Sequence, residues 1–393
     1  MNSLCFDPTD PKLAAAAWSR IAEPGDELAG TLIAHLGASD ALVWLVETAS
    51  TTPHSTATPS GYSRRVLQAG VERWGPRLDG LNPEDDLTQM ERLGGTVLLP
   101  TDSRWPSGLR DLGAQMPHLL WVRGNSALAQ ACARSIALVG ARASTAYGEQ
   151  VTRDLASGLT SRGFTVVSGG AYGIDAAAHR GALGADGNTI AVMAGGVDRL
   201  YPQGNYSLLE AIAESGTIIS EVPPGATPFR QRFLARNRLI AAMTKATVVV
   251  EAAVRSGALS TARRAVELLR PLGAVPGPVT SMSSAGCHQL VRDGLAVLIT
   301  DAAEAAELAG GCNDVGPERQ NPDRPDDRLS ADERAVRDAL PANKGTNPAR
   351  LSRVAGLPIT AVLGALGVLE TQGLAELTTS GWRAKIATRP SRA

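Results

Sequence analysis

The chain has 393 residues, of which 44% are hydrophobic and 20% charged, with a formal net charge of −1. At about 150 residues per domain the length suggests two or three domains, and the apolar content excludes a disordered chain. The neutral balance argues against a nucleic-acid partner, since such binders are usually basic, but a sum does not say where the charges sit.

Of the 38 basic residues, 34 are arginine. Its planar fork of donors suits phosphates and stacks on flat groups. Cys5, Cys132, Cys287 and Cys312 are scattered without a C-x-x-C pair, so neither a disulfide scaffold nor a metal site is expected. The start lacks a basic segment followed by an apolar one, and no apolar run approaches the roughly 18 residues of a membrane span. The expectation is a soluble cytoplasmic protein with no membrane association.

Residues 1–92 are Ala-rich and helical in pattern, with Gly37 at a helix stop and a loop by composition from Ala49 to Ser60. They predict a small helical domain without an evident chemical motif. From 93 to 308 the texture changes to short apolar runs separated by helical segments. The runs are Ser135–Gly140, Phe164–Gly169, Thr189–Ala194, Thr217–Val222, Thr247–Ala252 and Ala296–Thr300. Such alternation predicts an α/β domain, a doubly wound Rossmann-like parallel sheet covered on both faces. Residues 309–328 are polar and rich in Pro and Asp, as a linker is. Residues 329–388 then read helix, helix, helix, hairpin, with Pro348 and Gly356 bounding the second helix. That order predicts a C-terminal winged-helix-like domain.

Ligands of such sheets bind beyond the carboxyl ends of the strands, and the informative motifs lie there. After the first run comes V-G-A-R-A-S-T-A-Y-G, with Gly140 and Arg142 at a helix start. It is not G-x-G-x-x-G and no acidic residue ends the second run, so no dinucleotide cofactor is expected. After the second run, Ser168, Gly169, Gly170 and Gly173 form a Gly-rich turn of the kind that cradles phosphate. Asp175 and His179 follow on one helix face. With no nucleophile nearby they read as loop anchors rather than a catalytic pair.

Ala226–Lys245 carries Arg230, Arg232, Arg236, Arg238 and Lys245, interleaved with Phe229 and Phe233, and no acid occurs between Glu221 and Glu251. Cations that track phosphates beside rings that stack bases suit single-stranded nucleic acid. A solvated helix face would mix signs. Ser256 and Gly257 open a further helix at the same edge. Repeated anion sites along one groove suit successive phosphates.

These strings, together with G-G-V-D-R-L-Y-P-Q-G-N, S-E-V-P-P-G, F-L-A-R-N-R-L-I-A-A, E-A-A-V-R-S-G-A-L-S-T-A-R-R-A and G-C-H-Q-L-V-R-D-G, resemble the DprA (Smf) family of DNA-processing proteins in consistent order from Leu98 to Thr300. The flanking regions resemble domains that many members carry, the first of SAM or helix-hairpin-helix type. The resemblance implies a non-enzymatic protein, without cofactor, that binds single-stranded DNA and loads RecA recombinase, as in DNA uptake or recombinational repair. It places the DNA contacts on Arg142, Ser168, Gly169, Gly170, Arg230, Phe233, Arg236, Asn237 and Arg238, with Lys245 added from the basic run. Where relatives often have Lys after Y-P, this chain has the uncharged Gln203. A homodimer surface is implied around His288 and Val297. The rival is a nucleotide-cleaving enzyme of the LOG type, weakly similar through P-G-G-x-G-T-x-x-E. Arg264 stands where that motif has its catalytic Glu, and Glu251 cannot replace it by register.

Overall fold

The computed structural model describes residues 4–50, 63–310, 329–341 and 345–385. Most of the expected loop at Ala49–Ser60, and the expected linker beyond residue 310, lie outside them. The chain divides into two compact units, Met1–Val315 and Gly316–Ala393.

The first unit opens with five helices, α1 (Pro11–Ile21), α2 (Glu27–Leu36), α3 (Ala38–Ser50), α4 (Arg64–Trp74) and α5 (Pro83–Arg92). Asp10 and Asp26 cap α1 and α2, accepting from the free N–H groups of the first turn. Trp18, Leu42, Leu45 and Trp74 pack together as their core, with the two indoles edge to face at 5.6 Å. The helices do not form a unit of their own. Ala15, Ala16 and Met90 share a second core with Leu119, Trp121 and Ile218 of the sheet region. The Ala-rich α1 is what allows so close an approach.

The sheet region follows as β1 (Thr96–Leu98), β2 (Leu120–Gly124), α6 (Leu128–Ala133), β3 (Ser135–Val139), α7 (Ala146–Thr160), β4 (Thr165–Ser168), α8 (Ile174–Leu183), β5 (Thr189–Met193), α9 (Tyr206–Ser215), β6 (Thr217–Ser220), α10 (Arg230–Met243), β7 (Ala246–Val249), α11 (Ala258–Glu267), β8 (Leu272–Ala274), α12 (Ala285–Arg292), β9 (Val297–Leu298) and α13 (Ala302–Leu308). The strand order is β1-β2-β6-β5-β4-β3-β7-β8-β9. Strands β3 to β9 pair in parallel, while β1 and β2 pair antiparallel at one edge. The sheet is therefore mixed rather than purely parallel. The reading of apolar runs misses β1, β2 and β8: no α-helix separates β1 from β2, and β8 is three residues with Gly273 at its centre.

Every residue of β3, β4, β5, β6 and β7 is buried. Helices cover both faces, which is why these strands are continuously apolar instead of alternating. Each buried Val, Leu or Ile contributes about 1.5–3 kcal/mol relative to exposure. The order reverses at β3. The chain runs from β3 through β4 and β5 to β6, then returns to lay β7 on the other side of β3. This reversal opens a crevice beyond the carboxyl ends of β3 and β7, where doubly wound sheets hold ligands.

The second unit has α14 (Ala331–Ala339), α15 (Pro348–Ala355), α16 (Ile359–Thr371) and the hairpin β10 (Ala375–Thr378) and β11 (Gly381–Ala384). Ser330 and Glu333 form a reciprocal capping box on α14. Asn347 caps α15, and Gly356 ends it at φ +66°. Val336, Leu351, Val362, Leu366 and Leu369 make the core. Among the described residues of the chain, no single helix is long and apolar enough to cross a membrane.

Candidate functional site

The crevice at the switch point is a groove of about 610 Å³. Gly140 to Ala143 line it from the end of β3, Ala253 and Arg255 to Ala258 from the end of β7, and Phe233, Arg236 and Asn237 from α10. The guanidinium of Arg142 lies over the ring of Phe233 at 4.9 Å. On its far flank Phe233 meets Tyr201, with ring centroids 5.9 Å apart. Arg142 is exposed and Phe233 half-buried, so a cation and a ring are offered together.

Two helices begin at this edge, α7 and α8, and carboxylates of the chain take N–H groups of the segments that lead into them. Glu251, buried at the end of β7, accepts from the N–H of Thr145 at 2.9 Å and from its hydroxyl at 2.6 Å. Asp175 accepts from the N–H groups of Gly169 at 3.2 Å and Ala171 at 3.4 Å. Burial pushes the Asp175 carboxyl above its ordinary range, against the pull of Arg236 and the loop N–H groups. The Gly-rich turn is thus not an open anion cradle; the chain's own carboxylate occupies it. Ser168 is buried and donates its hydroxyl to the Leu138 carbonyl at 2.7 Å. Gly170, at φ +68°, has its carbonyl held by Asn205 at 3.1 Å. Of the expected phosphate donors in this turn, the Ser168 hydroxyl and the Gly169 N–H are therefore engaged within the chain.

The arginines of α10 divide along the helix. Arg230, at its first position, is exposed. Arg232 turns to the N-terminal helices, bonding Glu23 at 3.0 and 3.1 Å while lying over Phe229 at 4.6 Å. Arg236 is buried and donates to the carbonyls of Gly169, at 2.8 Å, and Val192. A Cβ at Gly169 would collide with that guanidinium, which explains the glycine. Burial draws Arg236 down to about 10, opposed by Asp175 and aided by Arg142, so it stays charged at neutral pH. Arg238 is buried and pairs with Glu221 at 2.6 Å. Asn237 accepts from Arg236 at 3.2 Å and lines the groove. Arg238 is thus tied to Glu221 within the fold, while Arg236 is anchored through Nε and Nη1 and also lines the groove. Local sequence lacks acids here, but the fold brings Glu23, Asp175 and Glu221 from elsewhere.

Lys245 also moves out of the site. Its N–H bonds the carbonyl of Ser135, the first residue of β3, and it immediately precedes β7. It lies at the amino edge of the sheet, opposite the groove. Gln203 is exposed in a single helical turn, Gln203–Asn205, after β5. Arg255 is a residue the sequence reading passed over. It lines the groove after β7 and is exposed. The V-R-S-G string was its signal. Arg142, Arg230 and Arg255 have no ion pair among the described residues.

His179 does not pair with Asp175 among the described residues. Its Nδ1 sits 2.8 Å from Thr189 Oγ1, whose proton goes to the Val166 carbonyl, so the ring donates. Burial, with Arg236 and Arg180 adding, pulls it from 6.5 to about 3. Arg264 bonds Glu267 at 2.8 Å on the surface of α11. His288 is half-buried, 3.0 Å from the Gly277 carbonyl, and Val297 is 58% exposed on the edge strand β9.

The architecture defines a doubly wound α/β protein whose switch-point groove carries the exposed Arg142 and Arg255 beside the ring of Phe233. Residues 96–310 match the family model for DNA recombination-mediator protein A. A Mycobacterium tuberculosis protein bearing the DprA name is 46% identical over 309 residues, covering 76% of this chain and 79% of the relative. Protein Smf of Escherichia coli is 36% identical over 300 residues, covering 74% and 75%. The X-ray structure of DNA processing protein A from Streptococcus pneumoniae superposes with a TM-score of 0.60 at 29% identity, covering 76% of this chain and 97% of that one. The chain belongs to the DNA recombination-mediator protein A (DprA/Smf) family.

Proposed function

We propose that the groove holds single-stranded DNA without sequence preference, and that the protein protects the strand and delivers it to RecA recombinase without itself catalysing a reaction. The observation that carries this reading is the contact of Arg142 with Phe233 inside the groove. A strand of DNA presents phosphate and base in alternation, and this pair offers a partner for each. Arg255 adds a second exposed cation in the groove, and the exposed Arg230 opens the helix that carries Phe233. Membership of a recombination-mediator family supports the same reading.

Two further parts of the proposal concern assembly. Leu295, Val297 and Leu298 are exposed around the edge strand β9, which suits a homodimer that covers a vulnerable sheet edge and spans more nucleotides. The C-terminal unit is read as winged-helix-like. The α16 helix carries no basic residue, and a helix that reads the major groove needs them. A partner-binding role suits it better.

The enzyme reading is weaker. Glu251 and Asp175 are spent on N–H groups of the chain, and Arg264 cannot act as a carboxylate. Fluorescence anisotropy with labelled oligonucleotides tests the proposal. Single strands should bind more tightly than duplex, with steep salt dependence, and Arg142→Ala with Arg230→Ala should weaken binding strongly. Equal binding by that double variant, or release of free base from nucleoside monophosphates, contradicts it.

A further inference from the structure

We infer that the path of the strand does not end at Phe233 but continues over Tyr201 and Tyr172, whose rings stack two or more further bases beyond the ends of β5 and β4. This rests on the single-strand reading above and extends its site. The chain has five tyrosines. The four in the described residues are each between 44% and 49% exposed, and all lie at the carboxyl edge of the sheet. Large aromatic rings held half in water gain little for the fold, so their placement at one edge calls for a cause other than the core.

Two of them adjoin the groove and are held in place. Tyr201 touches Phe233 at 5.9 Å, which continues the layer that Arg142 begins. Tyr172 follows the Gly-rich turn, and its hydroxyl accepts from the N–H of Gly204 at 3.1 Å. A side chain at Gly204 would collide with the Tyr172 ring, so the hydroxyl end of the ring packs closely on the turn. Asn205 bolts that turn to the Gly-rich loop, donating to the carbonyls of Gly170 at 3.1 Å and Ala171 at 3.0 Å. Loop, turn and both rings therefore form one braced piece. Rings fixed before binding lose little freedom when a base lands on them. Gln203 and Gly204 of the turn, with Arg142 over Phe233, put polar groups along the same path, which suits bases joined by phosphates.

The test uses oligothymidylates of two lengths with the full chain. For a strand of about 16 nucleotides, Tyr201→Leu and Tyr172→Ala should each weaken binding about fivefold to a hundredfold per base unstacked. For a strand of about four nucleotides, which Arg142 and Phe233 can hold alone, the same variants should change little. Tyr172→Phe, which keeps the ring but loses its bond to Gly204, should fall between the parent and Tyr172→Ala. Leu at 201 keeps bulk against Phe233, and a thermal melt of each variant reports on folding. In parallel, strands containing 5-iododeoxyuridine should photocrosslink to the peptides carrying Tyr201 and Tyr172. Crosslinks confined to Phe233, with the long strand bound equally by all variants, overturn this extension and leave the groove standing. If neither strand binds the parent protein at all, the underlying single-strand reading fails instead.

Discussion

The two halves of α10 have similar composition and opposite roles. From Arg230 to Leu234 the helix is exposed or half-exposed, and Arg230 is exposed with no ion pair among the described residues. From Arg236 to Met243 it is buried, and both of its arginines are consumed inside the protein. Arg236 ties β4 and β5 together through two carbonyls, and Arg238 neutralises Glu221. What separates them is the remote partner, not the residue type. A buried guanidinium persists only where carboxylates or carbonyls meet its donors, so a fold that buries arginine has already assigned it.

The comparison breaks most visibly at Arg238. Arg238→Met should cost about 3–5 kcal/mol of stability, because it strands Glu221 without its partner. Adding Glu221→Leu should return much of that loss. Urea denaturation of the single and double variants measures both, and a single variant as stable as the parent would make Arg238 a surface-like residue after all.

A smaller effect concerns acid. His179 is neutral in the fold, with its proton affinity held down to about 3 from the ordinary 6.5. Below pH 6.5 the unfolded chain binds a proton that the folded chain refuses, so stability rises with pH across this window. The slope from this residue approaches about 1.4 kcal/mol per pH unit well below 6.5. A His179→Gln variant should flatten the measured dependence by that amount between pH 6 and 4, read as the difference from the parent in denaturation series. An unchanged slope would mean that the imidazole does reach a proton in the folded state.

Smallest of all is Lys245→Ala. At the amino edge of the sheet it should change stability by less than about 0.5 kcal/mol and leave single-strand affinity as it was. A clear loss of affinity would extend the DNA surface to the opposite edge.

The sequence made the scaffold readable where elements announce themselves. The runs ending at Gly140, Gly169, Ala194, Val222 and Ala252 became β3 to β7, because strands covered on both faces must be continuously apolar. Pro348 and Gly356 bounded α15 for equally local reasons. The antiparallel β1 and β2 were hidden, with no α-helix between them to mark the alternation. The site was legible in position but not in detail. Arg142 and Phe233 could be placed at the groove, whereas the fates of Arg232, Arg236 and Arg238 depended on Glu23, Asp175 and Glu221. Glu23 lies 209 residues from Arg232, and no rule of local spacing reaches that far. The Gly-rich turn misled for a related reason, since Asp175 four residues past Ala171 folds back to take its N–H groups. The neutral net charge concealed the same division between arginines neutralised within the fold and arginines left free.

The most direct test of this division is the salt dependence of single-strand binding, measured for the parent and for single alanine variants across α10 and the groove. Arg142→Ala, Arg230→Ala and Arg255→Ala should each reduce the slope of log affinity against log salt by about 0.7, one phosphate contact apiece on a single strand. Arg232→Ala, whose charge Glu23 already holds, should leave that slope unchanged. A slope that falls for Arg232→Ala and stays fixed for the three exposed arginines would contradict the account.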